Sequence, residues 1–266
     1  MVRTGSDPPA ALLEQSQTVC EWLAELAADD FTHQTPLPGW DVRTLTDHLV
    51  VVHRGLAQVL ARPTGERPLP NYEFVRRYRR DVEMITESTL LATADHSGPA
   101  LVEQLGGVIH ELAELLASHD PRSVVGAARG PVTAGDFLAT RIVEVVVHAD
   151  DLSRALPERA PIVLHRAALS RCTRTLAEIL AGQQPGRSVE VRVPPYAAVQ
   201  CSIASAAGDA GPSHTRGTPP NVVETDPLSF LRLATGRITW DEAMEDGTIK
   251  ASGLRANLAP ALPLFS

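Results

Sequence analysis

The chain is short of lysine, aromatics, cysteine and long apolar runs, and each shortage removes a class of function. Lys250 is the only lysine among 24 basic residues, and 32 acidic residues leave a net charge of −8. That balance gives no electrostatic case for nucleic acid or for an anionic membrane as a partner. Aromatic residues make up 4% of the chain, too few for a base-stacking platform. Charges interrupt every apolar run before it reaches the roughly 20 residues needed to cross a bilayer. The opening stretch MVRTGSDPPAALLEQ has no apolar signal core, so a cytoplasmic protein is expected. Cys20, Cys172 and Cys201 are scattered, odd in number and without a CxxC pair. They read as small buried hydrophobes rather than a disulfide framework. GxGxxG, P-loop, HExxH and GxSxG patterns are all missing, which leaves nucleotide and serine-hydrolase chemistry without support.

What is present is helical periodicity over the first two-thirds of the chain. Helices are expected over about Pro9 to Ala28, Val42 to Ala61 with Asp41 as N-cap, Tyr72 to Ala94, Ala100 to Ser118, and from Thr133 or Asp136 to Leu156. THQTPLPGW, RPTGERPLPN and HDPRSVVGAARGPV read as the loops between them. Long amphipathic helices with short loops imply an antiparallel bundle. After Pro157 the pattern changes. Leu164 to Gly182 is helical, SVEVRV and AVQCSIAS alternate like strands, and GDAGPSHTRGTPP is a loop. NVVETD and GTIKASG read as short strands, PLSFLRLATGR as a helix with Pro227 in its first turn and Gly236 at its end, and LRANLAPALPLF as a terminal helix. The expected fold class is α+β: a helical bundle over residues 1–158 and a smaller α+β domain over 159–266.

The polar residues inside apolar helix faces carry the chemistry. RIVEVVVHADDL places Glu144 and His148 in a run of valines. At 100° per residue, His148 lies about 40° and Arg141 about 60° from Glu144, with valines on both flanks. A helix apolar nearly all round is buried, so these side chains are expected to face the bundle interior. A buried carboxylate costs several kcal/mol unless it is paired or bound to a metal. Glu144 and His148 therefore read either as an i,i+4 charge pair or as two ligands of one ion. His48 falls in the apolar stripe of Leu45, Leu49, Val52, Leu56 and Val59 and is the natural third ligand. Two imidazoles and a carboxylate suit Zn²⁺ first, with a fourth position left open; Fe²⁺, Ni²⁺ and Mn²⁺ are also compatible. His53, about 140° around the helix from His48, reads as surface- or loop-facing.

These segments resemble the mycothiol-dependent maleylpyruvate isomerase family, within the DinB/YfiT-like four-helix bundles. The resemblance rests on Pro38-Gly39-Trp40, Val42-Arg43-Thr44-Leu45 and Asp47-His48-Leu49, and on Arg141, Glu144, His148, Asp151 and Leu152 in the second segment. It implies one divalent metal, usually zinc, on His48, Glu144 and His148. It also implies a C-terminal domain like sterol carrier protein 2, on LSFLRLATGRITWDEA and GTIKASG. The family's C-terminal domain supplies an active-site arginine; Arg237 matches its Gly-Arg position. RRYRR sits where the family can carry a pocket arginine, without singling out Arg76, Arg77, Arg79 or Arg80. The chain departs from the family at Asp150, where a tryptophan is common, which leaves the substrate open.

The resemblance implies a divalent-metal enzyme that activates a low-molecular-weight thiol, mycothiol, as thiolate. The thiolate is transferred to an electrophilic, carboxylate-bearing small molecule or assists its cis-trans isomerisation. Asp151, one turn past His148, is a candidate for orienting that imidazole; solvent exposure or a salt bridge to Arg154 is the alternative. Two other readings stay open: a sterol- or lipid-like carrier with a structural metal, and a metal-dependent hydrolase. Oligomeric state is not legible in the sequence.

Overall fold

The computed structural model describes residues 7–77, 96–203 and 220–265. They form two compact units: one from the described residues of 1–69 and 81–171, the other from those of 70–80 and 172–266.

The first unit is a helical bundle. Its helices are α1 (Pro8–Ala24), α2 (Val42–Leu60), α4 (Gly98–Ala117) and α5 (Ala134–Ala155). Both α1 and α2 pack on α4 and on α5, so α1 and α2 occupy opposite corners. The helix ends follow local chemistry. Asp41 caps α2 by accepting the Thr44 backbone N–H and hydroxyl, both at 2.7 Å. Thr133 caps α5 by accepting the Asp136 N–H at 3.0 Å. The valines of α5 are buried, with Val143, Val145, Val146 and Val147 each no more than 4% exposed. That burial turns the inward-facing polar residues of the same helix into core residues.

Several segments differ from expectation. α1 stops at Ala24, and a 3₁₀ turn, Ala28–Thr32, takes over; the Asp30 carboxylate accepts the Ala27 N–H and starts the new turn. The stretch read as a loop before α5 contains a hairpin, β1 (Val124–Ala127) and β2 (Gly130–Thr133). Its paired Val125 and Val132 are fully buried, so one buried apolar pair outweighs the breaker residues around it. The third expected helix is seen as α3 (Asn71–Arg76), with Arg77 as its C-cap; that expectation beyond Arg77 lies outside the described residues, as does the GDAGPSHTRGTPP loop up to Pro219.

The second unit is mixed α+β. Its sheet has the order β4-β3-β5-β6, from β3 (Val189–Val193), β4 (Ala197–Cys201), β5 (Val222–Thr225) and β6 (Ile249–Ser252). β3 pairs antiparallel with β4 and parallel with β5, and β5 pairs antiparallel with β6. Val189, Val191 and Val193 point to the buried face, while Glu190 and Arg192 point outward. α6 (Arg166–Gln183) enters this unit at Cys172. α7 (Pro227–Ala234) has Asp226 as cap and Pro227 at its start. A short helix not anticipated from the sequence, α8 (Trp240–Glu245), opens on a capping box between Thr239 and Glu242. The expected terminal helix is not formed: the described residues after β6 hold only a 3₁₀ turn, Ala259–Ala261. Pro260 and Pro263 cannot donate helical hydrogen bonds, and Leu264 N–H donates instead to Ala234 O at 2.8 Å. Cys20, Cys172 and Cys201 are buried and unpaired.

Candidate metal centre

The cluster is assembled in the bundle from α2 and α5. The turn before α2 comes first. Gly39 has φ 78°, a left-handed conformation that glycine adopts without strain. Trp40 N–H then donates to Leu37 O at 3.1 Å, and Trp40 itself is buried. Its ring meets His48 edge-on, with centroids 5.1 Å apart. His48, two turns into α2, faces α5.

On α5, Glu144 and His148 are one turn apart and share a face. Glu144 Oε2 lies 3.5 Å from His48 Nε2 and 3.3 Å from His148 Nε2. The two imidazoles stand nearly perpendicular, with centroids 5.0 Å apart. One ligand atom from each of His48, Glu144 and His148 falls within 4.8 Å of the others. Around them, His148 Nδ1 donates to Asp151 Oδ2 at 3.0 Å, and Asp151 is fully buried. Arg141 Nη2 lies 3.4 Å from Glu144 Oε1.

The electrostatics follow from that geometry. Burial pushes the Glu144 carboxyl up, but Arg141 and the hydrogen bonds with His148 and His48 outweigh it and hold the group well below the usual carboxylate range. Burial lowers the His48 pKa, and the neighbouring Glu144 does not offset it. Burial acts against protonation of His148 as well, yet Asp151 and Glu144 raise its pKa.

The donor set fits a divalent ion on two counts. A carboxylate only accepts, so Nδ1 of His148 carries a hydrogen, and in the neutral ring Nε2 then presents a lone pair to Glu144 Oε2. Two acceptors at 3.3 Å need a proton or a cation between them. Second, Zn–N and Zn–O bonds of about 2.0–2.2 Å place tetrahedral ligand atoms roughly 3.3–3.5 Å apart, the separation of Glu144 Oε2 from both imidazole nitrogens. Among the described residues the buried His48 Nδ1 has no hydrogen-bond partner, in contrast to His148 Nδ1, which has Asp151.

The other expected residues are placed as follows. Asp151 is the partner of His148 and is neither solvated nor turned to Arg154. His53 is not at the surface: it is 2% exposed. Its Nδ1 donates to Leu49 O at 2.6 Å, and Ser16 Oγ donates to its Nε2 at 2.7 Å. The solvent face of α2 runs through Val51 and Arg54 instead. Arg237 belongs to the second unit, where its Nη1 donates to Thr235 O at 2.8 Å. Arg76 Nη2 donates to Gln183 O at 3.3 Å, and Arg77 forms an exposed pair with Glu73; Arg79 and Arg80 lie outside the described residues. The role of Arg141 beside Glu144 was not anticipated, although its i,i+3 spacing places both on one face.

A helical bundle bearing a His-Glu-His cluster, its two histidines buried and its glutamate half-buried, followed in sequence by a small α+β domain, defines a class of two-domain candidate metalloproteins. Residues 12–153 match the family model of the mycothiol maleylpyruvate isomerase N-terminal domain, and residues 165–264 match that of a bacterial SCP ortholog. The chain belongs to the mycothiol maleylpyruvate isomerase family, and thus to a family of enzymes. Its fold is similar to the crystal structure of the mycothiol-dependent maleylpyruvate isomerase, at 14% identity and TM-score 0.58, covering 92% of this chain and 91% of the other. A histidine-to-alanine mutant of that isomerase gives 15% identity and TM-score 0.60 over the same shares. No curated protein matches the chain significantly in sequence. None of the helices among the described residues is long and apolar enough to cross a membrane.

Proposed function

We propose that the protein is a divalent-metal-dependent enzyme that uses mycothiol, a low-molecular-weight thiol, against an electrophilic, carboxylate-bearing small molecule, by thiol-assisted cis-trans isomerisation or by thiol transfer. The observation that carries this reading is the convergence of His48 Nε2, Glu144 Oε2 and His148 Nε2 within one ion's reach, in a member of a thiol-dependent isomerase family. Zinc is the first choice of ion.

A divalent ion held there lowers the pKa of a thiol ligand, so that the thiol is present as thiolate near neutral pH. The chain's own residues do the rest. His48, Glu144 and His148 supply the ligand atoms. Asp151 holds the Nδ1 proton of His148, which leaves Nε2 as the nitrogen that faces inward as a ligand atom. Trp40 covers the edge of His48. On the family resemblance, Arg237 is the arginine proposed for the substrate carboxylate, which a guanidinium fork binds bidentately. None of the three cysteines is needed as nucleophile. Cys172, its thiol desolvated by full burial, stays protonated.

The test is the metal content of the purified protein beside a His48→Ala, His148→Ala double variant, followed by turnover with and without mycothiol. About one divalent ion per chain, lost in the double variant, and thiol-dependent turnover are expected. A metal-free protein that reconstitution does not load would overturn the reading, and turnover without added thiol would replace it with hydrolysis.

A further inference from the structure

The two oxygens of Glu144 have different partners. Oε2 faces the His48 and His148 imidazoles at 3.5 and 3.3 Å. Oε1 faces the Arg141 guanidinium at 3.4 Å. Arg141 is itself held in place: it is 8% exposed, its Nε donates to Thr140 Oγ1 at 3.2 Å, and its Cζ sits 4.9 Å from the centre of the Phe137 ring. It lies three residues before Glu144 on α5, so backbone and side-chain packing both fix the pair.

We infer that Arg141 is a positioning residue that keeps Glu144 a one-oxygen ligand and so leaves a coordination position for an exogenous thiol. The inference rests on the metal-dependent reading above. A carboxylate binds a divalent ion through one oxygen or through both. Three protein ligands with one oxygen from Glu144 leave the fourth position of a tetrahedral site open. A carboxylate free to rotate would bring its second oxygen to the ion and compete with the incoming ligand. The guanidinium prevents this by occupying Oε1 with charge and a donor. Lysine is a poor substitute, because only the planar fork can reach the carboxylate while anchored on Thr140 and stacked over Phe137.

The experiment compares Co²⁺-loaded wild type with Arg141→Met, which keeps the aliphatic stem and removes the charge. Three quantities are read: Co²⁺ bound per chain, the intensity of the visible Co²⁺ bands, and the affinity for N-acetylcysteine as a probe thiol. In Arg141→Met the metal is expected to stay bound. The visible bands are expected to weaken to roughly half or less, as four-coordination gives way to five. Thiol affinity is expected to fall by about tenfold or more. A folded variant with the wild-type spectrum and thiol affinity overturns the inference, and so does one that stays folded but loses the metal. If Arg141→Met does not fold, Arg141→Lys carries the test with the same direction expected, and wild-type values in it overturn the inference. Failure of wild type to bind Co²⁺ at all would sink the metal-dependent reading first and this inference with it. Metal bound equally and identically in wild type and variant would sink the inference alone.

Discussion

Replacing Asp151 by asparagine keeps the size of the side chain and removes one charge from a fully buried contact. The His148 Nδ1 to Asp151 Oδ2 distance is 3.0 Å, and no solvent reaches the carboxylate. In the native chain that charge makes Nε2 of His148 a stronger donor to an ion and also raises the His148 pKa in the metal-free protein. The two effects act at different pH. On the neutral plateau, where Nε2 is unprotonated, losing the carboxylate weakens metal binding by about 10–100-fold, or about 1.4–2.7 kcal/mol. In acid, proton and metal compete for Nε2. The native protein therefore loses metal as pH falls through the raised His148 pKa, and the variant loses it at lower pH. Zn²⁺ competition titrations from pH 5 to 8 should give a lower plateau for Asp151→Asn and an acid limb moved to lower pH. An unchanged plateau together with an unmoved acid limb would refute the reasoning, since the contact would then be electrostatically inert.

Burial holds the His53 imidazole down to about 4, so its neutral form is the one the fold accepts. The unfolded chain titrates near 6.5, so this stability is present above about pH 6.5 and is lost as pH falls towards 4. At about 1.4 kcal/mol per pH unit the full loss is about 3 kcal/mol, and about 2 kcal/mol by pH 5. Urea unfolding followed by Trp22 and Trp40 fluorescence should show that His53→Asn loses about 2 kcal/mol less than wild type between pH 8 and pH 5; equal acid sensitivity would mean that His53 is not the group responsible. Asp41→Ala removes the cap that takes the Thr44 N–H and hydroxyl. It should cost about 1 kcal/mol and lower Tm by about 2–4 °C, with metal affinity unchanged, because His48 lies two turns further into the helix.

Local chemistry is legible without the fold. Asp41 as a cap, Pro227 at a helix start and the alternation of SVEVRV all depend on a few neighbours, and each is found where its neighbours place it. The His148–Asp151 contact belongs here too, because three residues along a helix are adjacent whatever the helix packs against. Glu144 and His148 stand out because a run of valines signals a buried helix face, where a carboxylate is costly unless paired or bound to a cation. Local signals also misled. Val125 and Val132 were hidden among glycine and proline, and their pairing is worth something only once both are buried. The apolar residues near the C-terminus suggested a helix that Pro260 and Pro263 do not allow. His53 was placed by angle alone, and an angle around one helix does not say which neighbours surround it; Ser16 of α1 closes over it.

By itself, then, the sequence determined the positions of α2, α4 and α5, the burial of the α5 valines and the one-turn spacing of Glu144 and His148, because these follow from propensity, capping and periodicity within a few residues. Only the tertiary structure decided that His48 Nε2 meets the same carboxylate oxygen as His148 Nε2, and that His53 is enclosed. Those facts depend on how α2 is rotated and packed against α5 and α1, a matter of long-range contacts that no local stretch of sequence encodes.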